Sequence, residues 1–408
     1  MDSAVRTLRQ DVKLIGLIAS AHALSHFYQL VIAVLFPLIK DDFGVSYAAL
    51  GATVAVFYIV SGVCQTIAGF LVDRLDARRV LIAGLALCSA GVFIAGMARS
   101  YEMLVLAAFV AGVGNSVFHP ADFAILNTRV DTRRLGYAFS FHGIGGTLGW
   151  ALAPVFSYAM SALYGWHVAL MVSAALGVVM IALVLAGGKA LEIVPGKSPP
   201  KAEAGGRLAD DVRLLTQAPV LMCFLYFLLL AAALIGVQTF GVAGLVAFYE
   251  APAAIASAAL TAFLIGGACG ILFGGYVAGR TQRHDLVAAG GMFAAALCVL
   301  ALAFGALPLA LLAPVLAMAG FLSGMTNPSR DLLVRAAVPK GATGKVYGFV
   351  YSGLDVGSMA VPVLYGWLLD SGQPQAVFYA VFALLLLTVL TVLQLPGRPT
   401  QAARVPVA

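Results

Sequence analysis

The chain has 408 residues, of which 62% are apolar and only 10% charged, against roughly 45–50% and about 25% in an ordinary soluble domain. With 24 basic and 18 acidic residues and a mean hydropathy of +0.99, a soluble globular fold is excluded and the bilayer must be the solvent. The net charge of +6 does not indicate nucleic acid, because the basic residues fall in short clusters between apolar runs instead of forming one basic face. The five cysteines (Cys64, Cys88, Cys223, Cys269, Cys298) stand singly in apolar stretches with no CxxC, which predicts packing thiols.

A charged start (Arg6, Arg9, Lys13) leads into an apolar run too long for a cleavable signal core, so the first span is expected to stay as a helix. Crossing the hydrocarbon takes about 20 helical residues. Dividing the chain where charge or Pro/Gly interrupts runs of that length gives spans at 14–38, 47–72, 80–98, 103–127, 136–160 and 166–187, then 219–241, 253–278, 286–305, 308–334, 345–369 and 375–394. None alternates as a barrel strand would. Summed over alternate connections, Lys and Arg number 21 on one side and 2 on the other, which places both termini in the cytoplasm of a multi-pass inner-membrane protein.

The segment Gly188 to Ala218 is rich in Pro, Gly and Lys and reads as a linker, so the organisation is a bundle at 1–187, a linker at 188–218 and a second bundle with a short tail at 219–408. An internal repeat supports this division. GVGNSVFHP at Gly112–Pro120 matches GFLSGMTNP at Gly320–Pro328, and Gly136, Gly145, Gly149 and Pro154 recur as Gly344, Gly353, Gly357 and Pro362, all at an offset of 208 residues.

The connection after the second span reads Gly69-Phe-Leu-Val-Asp73-Arg74-Leu-Asp76-Ala-Arg78-Arg79. It resembles the loop motif of the major facilitator superfamily, G-x-x-x-D-R-x-G-x-R-R, with Asp76 in place of the second glycine. Gly275-Tyr-Val-Ala-Gly279-Arg280 is a weaker copy in the second half. Within that superfamily, Leu24-Ser-His26, Phe36-Pro37-Leu38 and Gly112–Pro120 look like the fosmidomycin-resistance type of drug exporter. The chain departs from that group at Gln29 and Leu30, where an Asn-Asp pair stands. The resemblance implies an all-α integral membrane fold of twelve transmembrane helices in two pseudo-symmetric six-helix bundles, rocking about a site near the bilayer midplane. It also implies a latch: Asp73 facing a helix N-terminus of the other bundle near Gly344, with Arg74, Arg78 and Arg79 holding the loop through carboxylates or lipid phosphates.

Ionisable side chains inside a span are candidates for function. Asp355, about ten residues into the eleventh span, is a candidate proton carrier, or else a carboxyl bonded to a neighbouring helix. His22 and His26, at i and i+4 with Gln29 on the same face, together with His119 and His142, can bind substrate, share protons or tie helices together. No ligand set for a bare metal site is completed by spacing. His119-Pro120 predicts a kink in the fourth span. Asp122 maps onto Arg330 through the repeat, so the two either form an ion-pair gate across the axis when the cytoplasmic side closes, are held by separate local partners such as Arg129, Asp331 or Arg335, or bind substrate. Tyr58, Gln65, Tyr226 and Gln238 are candidate cavity contacts, and the glycines of the fifth span read as close packing rather than a phosphate loop.

The expected function is a proton-coupled exporter of a small organic molecule. A carrier of metabolite anions or metal chelates and a non-transporting sensor are the alternatives. No nucleophile–base pair or paired carboxylates mark an enzyme, no cofactor or nucleic acid is called for, and the chain is expected to work as a monomer with substrate, protons and membrane lipid as its partners.

Overall fold

The computed structural model describes residues 7–131, 134–188, 191, 213–337 and 343–394. Within these, the side chains of Thr66, Phe70, Asp73, Gly136, Ala337, Thr343, Gly344, Lys345, Tyr347 and Gly348 lie outside the description, as do most of the expected linker and the tail.

The first half contains α1 (Leu8–Val31), α2 (Phe36–Phe43), α3 (Tyr47–Arg74), α4 (Ala77–Gly96), α5 (Tyr101–Asn115), α6 (Phe118–Arg129), α7 (Leu135–Tyr164) and α8 (Trp166–Ala186). The second contains α9 (Ala218–Gln238), α10 (Gly241–Tyr249), α11 (Ala253–Ala278), α12 (His284–Ala303), α13 (Leu309–Met325), α14 (Asn327–Ala337), α15 (Thr343–Ala360), α16 (Pro362–Asp370) and α17 (Gln375–Leu393). Ten helical segments among the described residues are long and apolar enough to cross a bilayer. The other two crossings are the 30-residue α7 and the α15–α16 pair, which breaks at Val361 with Pro362 opening α16. Twelve crossings result, five of them made of two helices end to end: α1–α2, α5–α6, α9–α10, α13–α14 and α15–α16.

The helix ends have local causes. α1 begins earlier than the apolar run because Thr7 and Gln10 form a reciprocal capping box, the Thr7 hydroxyl accepting from Gln10 N and the Gln10 side chain accepting from Thr7 N. Asp76, the departure from the loop motif, is the N-cap of α4, its carboxylate accepting from Arg78 N at 3.4 Å. The break expected at Pro120 falls at Ser116–Val117, leaving Pro120 in the first turn of α6, where its missing N–H costs no bond.

The repeat appears as packing. In the first half Gly145 and Gly149 of α7 press on the carbonyls of Ala19 and Ala23 of α1. In the second, Gly353 and Gly357 of α15 press on those of Phe224 and Leu228 of α9. Gly112 of α5 meets the Phe57 carbonyl of α3, and Gly320 of α13 meets the Phe263 carbonyl of α11. A Cβ at these positions would stand inside the neighbouring backbone, so the helices approach only because glycine is there. The α11–α13 contact extends this on both sides: Gly266, Gly270 and Gly274 lie on the carbonyls of Ala317, Phe321 and Met325, and Gly324 lies on that of Gly267.

The halves meet chiefly through α3 against α15–α16 and α7 against α11, where Thr261 Oγ1 donates to the Ala151 carbonyl at 3.1 Å. Along α3 the contact changes steadily. Gly51 lies on the Pro362 carbonyl and Gly366 on that of Tyr47; further along, a Cβ on Gly62 would stand 3.8 Å from Asp355 Cβ; at Gly69 it would meet nothing within 4 Å. The tight end is also polar: Asp370 Oδ1 and Oδ2 accept from Tyr47 N at 2.9 Å and Ala48 N at 2.8 Å, and Lys40 Nζ lies 3.8 Å from Asp370 Oδ1. The last side chain of α16 therefore caps the exposed N–H groups of α3. The pair is clamped at this end.

Candidate functional site

The structure gathers four histidines in the first half. His22 and His26 come from α1, His119 and Asp122 from α6, and His142 from α7. The α5–α6 break sets His119 and Asp122 on the side of α6 that meets α1 and α7. The His22 and His142 rings stack with centroids 3.6 Å apart, and His22 lies 4.3 Å from His26 and 5.2 Å from His119. His142 Nε2 donates to Asp122 Oδ2 at 3.0 Å, and His22 Nδ1 approaches the same oxygen at 3.5 Å without hydrogen-bond geometry. Asp122 is fully buried, His22 and His142 are 3% and 4% exposed, and His119 is exposed. Asp122 Oδ1, His22 Nδ1 and His26 Nδ1 are buried with no hydrogen-bond partner, which in a low-dielectric interior is costly unless a proton or ligand fills the gap.

Gly146 makes this crowding possible. A Cβ there would lie 2.7 Å from His26 Nδ1 and Cε1 and 3.0 Å from His22 Nε2. Trp150, one turn further along α7, stacks on His26 at 4.2 Å. Its indole donates to Gln29 Oε1 at 2.9 Å, Gln29 Nε2 donates to Asn115 Oδ1 at 3.2 Å, and Asn115 Nδ2 donates to Ser61 Oγ at 2.8 Å. This polar line ties α7, α1, α5 and α3 together. Trp150, Asn115 and Ser61 are not found by sequence reasoning; Asn115 lies inside the repeated segment at Gly112–Pro120, which was the available signal.

The remaining candidates separate. Asp355 is half-buried on α15 where that helix meets α3, one turn from Tyr58 in register, and it makes no hydrogen bond among the described residues. Gln65 is half-buried further along α3, and Gln238 is buried where α9 breaks. Tyr226 and Arg330 border a small cavity in the second half with Cys223, Phe227, Leu333 and Val334.

Several expectations change. The Asp122–Arg330 pair is not formed in this conformation: Asp122 is held by His142, while Arg330 donates to Asp331 Oδ1 at 2.9 Å and Asn327 Oδ1 at 3.2 Å and lies over the Phe227 ring at 4.6 Å. Each charge meets a partner within its own half first. Arg78 donates to the carbonyls of Val184 and Leu185 at 3.3 and 2.8 Å, covering the C-terminal end of α8. Arg74 and Arg79 are exposed. The Asp73 and Gly344 side of the latch lies outside the described side chains, and Gly69 faces open space.

Twelve broken and continuous crossings in two repeated halves, with buried titratable groups inside one half, define a membrane transporter. The family model for the Major Facilitator Superfamily matches residues 18–254 and 244–407, and the chain belongs to that superfamily. It is similar to the fosmidomycin resistance protein of Escherichia coli (strain K12), 25% identical over 280 residues and 68% of each chain. Its fold is that of a bacterial homolog of the human lysosomal transporter Spinster in an inward-facing, occupied conformation (TM-score 0.73, 14% identity, 95% of this chain and 96% of that one). The nucleoside transporter NupG is similar to the same degree (TM-score 0.73, 17% identity, 95% and 98%).

Proposed function

We propose that the chain is a proton-coupled exporter that loads a small organic molecule from the cytoplasm and releases it by alternating access. The observation that carries this reading is the buried His22–Asp122–His142 group, whose unpartnered Asp122 Oδ1 and His22 Nδ1 can take up and release protons inside the membrane. Imidazole is the side chain suited to exchange near neutral pH. Asp355, without a partner at the seam between the halves, is a second proton site that senses whether α3 and α15 are in contact. The face carrying the basic loops is read as cytoplasmic from the 21-to-2 charge asymmetry, and substrate loads from that side. Gln29, Trp150, Tyr58 and Gln65 supply polar and aromatic surface for substrate. The name of the Escherichia coli relative supports export of a drug-like molecule. Arg330, already bonded to Asp331 and Asn327, weighs against a metabolite-anion carrier. Lipid surrounds the bundle, and the monomer is the working unit.

The test is recovery of a pH-gradient dye in everted vesicles as small drugs, phosphonates and organic anions are added, with wild type, Asp122→Asn and Asp355→Asn. Recovery in wild type that disappears in Asp122→Asn supports the reading, and full recovery in Asp355→Asn removes Asp355 from the coupling. Counterflow of a labelled compound with no proton release by any compound would make the protein a uniporter or exchanger and end the proposal.

A further inference from the structure

We propose that His22, His119 and His142, with Asp122 as fourth donor, form a binding site for a divalent transition-metal cation of the zinc and cobalt class. Each histidine offers one ring nitrogen, and these three atoms lie within 4.8 Å of one another. Asp122 Oδ2 is already 3.0 Å from His142 Nε2 and 3.5 Å from His22 Nδ1, so the carboxylate belongs to the same constellation. His22 Nδ1 and the other carboxylate oxygen, Asp122 Oδ1, are buried without hydrogen-bond partners.

A tetrahedral cation with metal–nitrogen bonds of about 2.1 Å holds its ligands about 3.4 Å apart. The widest pair must therefore close by about 1.4 Å, and the stacked His22 and His142 rings, whose lone pairs lie in nearly parallel planes, must turn so that both aim at one ion. Three imidazoles and one carboxylate select zinc, cobalt, nickel or copper over magnesium and calcium, which prefer oxygen donors. Around the donors, His26 packs on His22, and Trp150 on His26.

Metal and proton compete for the same nitrogens. The corollary that zinc arrests transport rests on the proton-coupling reading; the binding itself does not, and is tested without transport. Purified full-length protein, free of any affinity tag and stripped with a chelator, is titrated with Co²⁺ while the visible d–d bands are followed, and retained Zn²⁺ is counted by mass spectrometry. Expected are one cobalt per chain with a tetrahedral spectrum, at least tenfold weaker binding in His119→Ala, and unchanged binding in His167→Ala, whose histidine lies at the other end of α7–α8. Because His119 is exposed, its variant folds even if His22→Ala or His142→Ala does not. Fewer than 0.1 metal per chain in wild type, or identical titrations for wild type and His119→Ala, would overturn the site.

Discussion

Replacing Asp370 by Ala removes both oxygens that cap α3 across the seam between the halves. Hydrogen bonds to a charged group contribute about 1.5–3 kcal/mol each when buried, and an anion at a helix N-terminus adds about 0.3–1 kcal/mol. Asp370 lies at the surface, with its side chain 20% exposed, where solvent screening reduces such contributions. A net loss of about 1.4 kcal/mol is therefore expected, a roughly tenfold shift toward the conformer in which this end separates. The loss falls on the conformational equilibrium because the capping contact exists only while the two helices are clamped. Spin labels on cysteines replacing Leu163 and Phe304, exposed residues at this face in different halves, report the separation by double electron–electron resonance on a background lacking the native cysteines. The longer-distance population should rise about tenfold in Asp370→Ala and much less in Asp370→Asn, which keeps one acceptor. Lys40→Gln, removing only the 3.8 Å contact, should change little. An Asp370→Ala distance distribution identical to wild type would refute the assignment of this contact as a clamp.

Two glycines of α7 should respond with opposite sign. Gly146→Ala forces a methyl against His26 and His22 and should cost about 1–3 kcal/mol, whereas Gly143→Ala, with nothing within 4 Å, should gain a few tenths from helix propensity; thermal unfolding in detergent separates them. Trp150→Phe keeps the stack on His26 but deletes the bond to Gln29, and should lower stability by about 0.5–1.5 kcal/mol while weakening transport. Arg78→Ala should expose the last turn of α8, seen as faster amide exchange around residues 184–187, with a loss of about 1 kcal/mol.

The twelve crossings were legible because hydrocarbon thickness fixes helix length, and the repeat was legible because glycine positions encode close backbone approach. The ends were less so: α1 reaches back to Leu8 through a capping box that hydropathy does not register, and the Ser116–Val117 break precedes the proline that signals it. In the site, helical spacing alone puts His22 and His26 on one face. That Asp122 would lie between His22 and His142, and not across from Arg330, depends on the packing of α1, α6 and α7, which no local pattern contains. Likewise Asp370 looks like an ordinary loop acid until α3 is brought beside it.

The glycine-to-carbonyl seam of α11 and α13 has a counterpart in the first half only at Gly112, and its members leave no room for a side chain on either helix. A protein built by duplication can thus let its copies drift apart in temperament. In one, imidazoles and a carboxylate fill the interior, and substitutions there change what the molecule does. In the other, the α11–α13 seam lays backbone directly on backbone along its length, and substitutions on that seam change whether there is a molecule at all. In a mutational scan, altered specificity and pH response should concentrate before residue 188, while loss of protein should follow the close-contact glycines, most densely between residues 263 and 325.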